Sequence, residues 1–321
     1  MTAASGDAAP RTAIAIGPEV PAGDFTFHVH GVFVGAVNLS VDGRRFLVTV
    51  VGPEADDQPQ GIRLASSERF DAWPVRPGDQ GRRAGDRLVF EGAARGRWPA
   101  VDLASAAVAG RREMAKLDPR DGAWHAAWAE CARWLDARQE REGAALTLAA
   151  LRGGAVPADA LGTRLANAGR AVGDAICARD ADSAGLAAAA LIGLGTGLTP
   201  TGDDFLCGLL AALWCTRIEG TEDARLLAGW GAALTTTLDR TTVVGATLLQ
   251  CAIAGSFSGA LRDLAAELAG RSPGDRAAAL GAAMGRLCAM GHTSGMDTAA
   301  GFLFGLSLRT GAEARRDASS I

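Results

Sequence analysis

The sequence predicts an α+β protein, with a small β-rich N-terminal subdomain followed by a larger all-helical domain. Two observations carry this. Apolar and polar residues alternate with period two from Asp24 to about Leu103, and near residue 104 the period becomes that of an amphipathic helix. A third observation, 48% hydrophobic content in 321 residues, supplies a sizeable core for one large domain or two ordinary ones. We divide the chain into a flexible N-terminus at 1–20, a β-rich subdomain at 21–110 and a helical domain at 111–315.

The strands come first. Phe25, Phe27 and Val29 alternate with Thr26, His28 and His30, as on a half-buried strand. Val37, Leu39 and Val41 continue the alternation. Asp42–Gly43 then marks a hairpin, because glycine accepts positive φ, and Phe46 to Val51 forms the return strand, ended by Gly52–Pro53. Further short strands are expected at Ile62–Leu64, Leu88–Glu91 and Val101–Leu103. The Pro-, Gly- and charge-rich stretches 53–61 and 76–86 read as loops.

The helices follow. Trp124, Trp128, Cys131 and Leu135 fall at i, i+4, i+7 and i+11, one face of a helix for which Asp121 is a plausible N-cap. Almost every later segment is Ala/Leu-rich, with breaks at Gly153–Gly154, 193–202, 219–222, 271–274 and 291–295.

Composition excludes several classes. Gly 42 is about twice average usage, but no short period organises it. Net charge is −4 and the basic residues are scattered without interleaved aromatics, so no nucleic-acid partner is expected. Cys131, Cys177, Cys207, Cys215, Cys251 and Cys288 form no CxxC pair and read as buried small hydrophobes. Residues 1–12 lack the apolar region of a secretory signal. The longest apolar run, Ala184–Leu194, is shorter than the ~20 residues of a membrane span. No membrane partner and a cytoplasmic location are expected.

The most unusual stretch is Gly193-Leu-Gly-Thr-Gly-Leu-Thr-Pro-Thr-Gly-Asp-Asp204, set between two apolar helix-like runs. Its amides and hydroxyls are available to a ligand, and it opens into a helix whose N-terminus suits an anion. About ninety residues later Gly291-His-Thr-Ser-Gly-Met-Asp297 repeats the plan. Gly202-x-Asp204-x-x-x-Gly208 matches Gly295-x-Asp297-x-x-x-Gly301, and each is preceded by Gly-x-Thr, at Gly197-x-Thr199 and Gly291-x-Thr293. Each Asp and the later Gly share a helix face, so the two helices are expected to pack through these glycines and bring both loops to one site. An Asp at a helix start is also a good cap, and that reading stands beside the functional one. Of the adjacent Asp203 and Asp204, one could cap and the other act as a metal ligand or general base, with Mg²⁺ the natural candidate. Neither a P-loop nor a dinucleotide turn fits: Asp203 replaces the phosphate-binding lysine, and the run before the glycines is helical.

Thr235-Thr236-Thr237-Leu238-Asp239-Arg240-Thr241-Thr242 is the third element. Arg with neighbouring hydroxyls can fork onto phosphate or carboxylate, or the segment is an Asp/Arg surface pair near a helix end. The His28/His30 face shows no third ligand and reads as solvated, and His125 reads as structural. His292, inside the second loop, is the histidine placed to meet an oxyanion or move a proton.

The candidate catalytic residues are therefore Asp204, His292 and Asp297. The candidate substrate-binding residues are Gly195, Thr196, Gly197, Thr199, Thr201, Gly202, Arg240, Thr241, Thr242, Thr293, Ser294 and Gly295. Asp203 and Asp204 are candidate metal ligands.

The stretch Leu191 to Gly208 resembles the hallmark of the AllH-type family, Gly291 to Asp297 its second motif, and Arg240-Thr241-Thr242 a third region. The layout, β-rich then helical, is similar as well. The resemblance implies a subunit of oxamate carbamoyltransferase, a multi-subunit enzyme of allantoin degradation and purine catabolism. It interconverts carbamoyl phosphate plus oxamate with oxalurate plus phosphate, and its other subunits would be this chain's partners. Both substrates are small anions, which the loops could hold. Two other classes compete: a non-catalytic assembly subunit whose loops pack on a partner, and a Mg²⁺-dependent phosphoryl-transfer enzyme using Asp203 and Asp204.

Overall fold

A computed structural model describes residues 10–91, 100–119, 121–138, 143–144, 148–155, 157, 159–270 and 275–310. The chain divides into two compact units, 1–112 and 113–321.

The first unit is a barrel. Its strands are β1 (Arg11–Ile16), β2 (Phe25–Val32), β3 (Ala36–Val41), β4 (Leu47–Val51), β5 (Gly61–Leu64), β6 (Gln80–Ala84), β7 (Arg87–Glu91), β8 (Ala100–Asp102) and β9 (Ala107–Val108). They follow the order β5-β4-β3-β2-β6-β7-β8-β1-β9, and an antiparallel β1–β5 pairing closes the ring. Period two decides what fills it. Phe27, Val29, Leu39, Val48, Leu64, Leu88 and Phe90 are buried, and the Phe27 and Phe90 rings meet edge to face at 5.3 Å. Thr26, His28 and His30 lie outside, where His28 Nδ1 is 3.3 Å from Asp42 Oδ1.

Two segments differ from expectation. The N-terminus at 1–20 contains β1, and residues 1–9 lie outside the described residues. A bulge between Ala13 and Ala15 puts Ala13 and Ile16 inside and leaves Ile14 40% exposed, so the strand shows no alternation. The stretch 76–86, read as loop, contains β6. Its buried position is Gly81, where a Cβ would run into the Phe27 ring and the Val89 carbonyl. An inward glycine leaves no apolar residue to mark the strand.

The second unit is helical: α1 (Ala123–Asp136), α2 (Leu148–Leu151), α3 (Ala160–Ala178), α4 (Ala181–Ala188), α5 (Thr201–Thr216), α6 (Glu222–Thr235), α7 (Val243–Ile253), α8 (Gly259–Leu268), α9 (Arg276–Cys288) and α10 (Ser294–Thr310). A 3₁₀ turn, Leu238–Arg240, links α6 to α7. α1 buries Trp124, Cys131 and Leu135 as its spacing requires. Its N-cap is Gly122, and Asp121 accepts from the Ala123 N–H at 2.9 Å. α5 is buried almost all round, the mark of an interior helix. The expected break at 271–274 lies outside the described residues. Cys177 is exposed and Cys288 half-buried, contrary to the buried expectation, while the other four cysteines are buried. No helix among the described residues is long and apolar enough to cross a membrane.

α3 carries a clean test of local capping. Asp159 accepts from the Gly162 N–H at 2.7 Å. Asp159→Ala is expected to lower stability by about 1 kcal/mol, read as a shifted urea midpoint with an unchanged m-value.

Candidate functional site

The site starts from four glycines. A Cβ at Gly208 on α5 would fall on the Thr298 carbonyl oxygen and 2.6 Å from the Phe302 nitrogen, both on α10. A Cβ at Gly301 on α10 would fall on the Phe205 carbonyl oxygen of α5. The two contacts are reciprocal: each helix presents its glycine to the residue that follows the other's Asp. Gly202 and Gly295 are pressed in the same way against the Leu191 and Leu287 carbonyl oxygens. The helix pairing expected from the repeated skeleton is present, and the Thr199 and Ser294 hydroxyls join the two loops at 2.6 Å.

The Arg240–Thr242 segment is tied to the first loop by several contacts. Asp203 Oδ1 accepts from the Gly193 N–H at 2.9 Å, and Asp203 Oδ2 accepts from the Thr241 hydroxyl. The Thr242 hydroxyl donates to the Leu198 carbonyl, and a Cβ at Gly193 would meet the Arg240 carbonyl oxygen at 2.7 Å. Thr242 also caps α7, accepting from the Gly245 N–H at 2.9 Å. The preceding threonines mark the end of α6: Thr235, Thr236 and Thr237 donate back to the Gly231, Ala233 and Leu234 carbonyls. Arg240 is exposed and makes no ion pair among the described residues.

Asp203, Asp204 and Asp297 are 1%, 2% and 0% exposed. Burial pushes the Asp203 carboxyl above the usual range, opposed by its bonds from Thr241 and Gly193. Burial pushes Asp204 well above that range. The Ser294 and Thr199 hydroxyls oppose the shift, while the Asp297 and Asp203 charges add to it. Asp204 Oδ2 is buried and has no hydrogen-bond partner among the described residues. Asp297 Oδ1 accepts from the Ala144 N–H at 2.7 Å. Among the described residues no group of three or more His, Cys, Asp or Glu side chains is placed to hold a metal ion. Both Asp203 oxygens are engaged in fastening the loop.

The first-turn amides are not free as expected. The Gly202 N–H donates to the Leu194 carbonyl at 2.8 Å, and the Asp203 and Asp204 N–H groups to the Pro200 carbonyl at 2.9 and 3.2 Å. The Gly295 N–H donates to the Met290 carbonyl at 3.0 Å and the Asp297 N–H to the Thr293 carbonyl at 2.9 Å. Each loop folds back and closes its own helix end. The amides left over lie higher in the first loop: the N–H groups of Gly195, Thr196, Gly197, Leu198 and Thr199 donate to no other described residue. Gly195 and Gly197 take positive φ, 120° and 91°, and Thr196, Gly197 and Leu198 are exposed. Successive unused amides around such glycines form a concavity for an anion.

Of the remaining expected residues, Thr201 is buried beneath Gly195, Thr293 is half-buried and His292 is exposed. Two features were not expected. Gly245 leaves room for Asp203 and Thr241, signalled only by its place three residues after a capping threonine. Gly143 and Ala144 touch Asp297 from a stretch with no motif.

Residues 191–306 match the family model described as oxamate carbamoyltransferase subunit AllH, and residues 3–107 match that of the AllH family N-terminal domain. The chain belongs to the AllH family. The first match begins at Leu191, two residues before the glycine-rich loop, and takes in both loops and Arg240. The AllH description, a subunit, implies further subunits in a complex. No solved structure matches the chain.

Proposed function

We propose that this AllH chain is a substrate-binding subunit of an oxamate carbamoyltransferase and holds a small anion at the tip of the first loop. The observation that carries this is the run of unused amides from Gly195 to Thr199, in a loop tied to the Arg240–Thr242 segment through Gly193 and Leu198 and joined through Thr199 to the second loop. Amides and a guanidinium suit both carbamoyl phosphate and oxamate. In the forward reaction the oxamate amide nitrogen attacks the carbamoyl carbon, the bond to phosphate breaks, and the nitrogen loses a proton. Fixed amide dipoles beside the carbonyl oxygen would stabilise the charge that develops there. Holding both reactants in register is the other contribution. The Thr199 and Ser294 hydroxyls, with the buried Asp204 and Asp297 carboxyls near them, supply groups able to accept or return the proton.

Titration calorimetry of the full chain with carbamoyl phosphate, oxamate and oxalurate tests this. At least one should bind, and Arg240→Ala should weaken it roughly tenfold to a hundredfold, the loss of a charge-assisted hydrogen bond. Leu198, 48% exposed at the loop tip, favours the assembly reading. If none of the three ligands binds, that reading replaces this one.

A further inference from the structure

Gly143 and Ala144 lie between the two matched stretches, 3–107 and 191–306, and belong to neither. They nevertheless contact the Asp297 side chain. The Ala144 N–H donates to Oδ1 at 2.7 Å, and this contact is buried. A Cβ at Gly143 would fall on Oδ1 and lie 3.0 Å from Cγ and 3.1 Å from Oδ2, so the bare Cα is pressed against the whole carboxyl group. Gly143 also takes φ 58°, which a side chain disfavours and which turns the following N–H toward the carboxyl. Asp297 sits in the first turn of α10, two residues before the fully buried Ala299, so its backbone cannot retreat without disturbing the helix pairing.

We infer that Gly143–Ala144 is a third wall of the site and that Gly143 is a positioning residue, setting where the Asp297 carboxyl stands. The inference rests on the proposed function only for what that carboxyl serves. Its orientation by Gly143 is a separate matter.

The test keeps them apart. In the full chain, Gly143→Ala is expected to lower the melting temperature by at least about 4 °C, because the methyl sits at a positive φ and can be relieved only by turning the buried carboxyl off the Ala144 N–H. In an Asp297→Ala background, where the group the methyl would strike is gone, part of that fall should vanish, while the cost of a side chain at φ 58° remains. With ¹³C-labelled aspartate, the carboxyl signal lost in Asp297→Asn should shift in Gly143→Ala, while the Asp203 signal stays. Additive losses of stability, or an unmoved Asp297 signal, overturn the inference. Neither readout needs ligand, so a chain that binds none of the three anions would sink the proposed function and leave this result standing.

Discussion

Gly208→Ala should destabilise the helical unit by about 3 kcal/mol, the upper end for overpacking, and lower its melting temperature by roughly 6–12 °C. The added methyl would meet the Thr298 carbonyl oxygen and the Phe302 nitrogen, which belong to the backbone of α10. A side chain can rotate away from a new methyl group, but a helix backbone must move as a whole. Because the contact is reciprocal, Gly301→Ala should cost a similar amount through the Phe205 carbonyl. Gly285 in α9 is the control, since nothing lies within 4 Å of its missing Cβ. There alanine should be neutral or stabilising by up to about 1 kcal/mol, through helix propensity alone. A Gly208→Ala protein that melts with the wild type would mean that α5 and α10 do not pack through these glycines.

Stability should fall as pH rises above the ordinary aspartate range. Asp203 and Asp204 both have folded-state carboxyls raised above the ordinary aspartate value, Asp204 the further of the two. Unfolded, they ionise near pH ~3.9. Between that pH and their folded-state values the native protein binds more protons than the unfolded chain, so raising the pH favours unfolding. Below both values nothing is lost. Above the folded values the loss is complete and the curve is flat again. Each unit of upward shift corresponds to about 1.4 kcal/mol. Asp204→Asn cannot ionise, so its urea midpoint should fall less than the wild type's between pH 5 and pH 8. Parallel curves would show that Asp204 ionises at its ordinary pH in the folded chain.

The packing that brings the two loops together was legible because it is carried by glycines, whose spacing is visible without a structure. The repeated Gly-x-Asp-x-x-x-Gly implied a close helix pair, and Gly208 and Gly301 make that contact. The role of Asp203 was not legible. A carboxylate beside another suggests a ligand site until the Gly193 amide and the Thr241 hydroxyl are seen to take its two oxygens. Nor could spacing reveal that the first-turn amides close on Leu194, Pro200 and Met290, since a loop's fold-back depends on its full path. Gly143 was out of reach for a simpler reason: its contact is with a carboxyl more than 150 residues away. In the barrel, strands were legible where inward positions carry Val, Leu or Phe. They were hidden where a bulge shifts the phase, as in β1, or where the inward residue is Gly81.

The way the barrel closes bears on its order of folding. β1 precedes the other barrel strands in the chain, yet it pairs with β5 through Ala13 and Leu64 and with β8 through Arg11 and Val101. The second of these seams joins residues some ninety positions apart, and closing so long a loop comes late and slowly. The earliest of the barrel strands is thus among the last to be seated, and until then β5 and β8 each present an open edge to the cell. Shortening the chain before Ile16 would leave the hairpins able to form but the ring unable to shut, so the loss should show as aggregation during expression before it shows as a lower melting point.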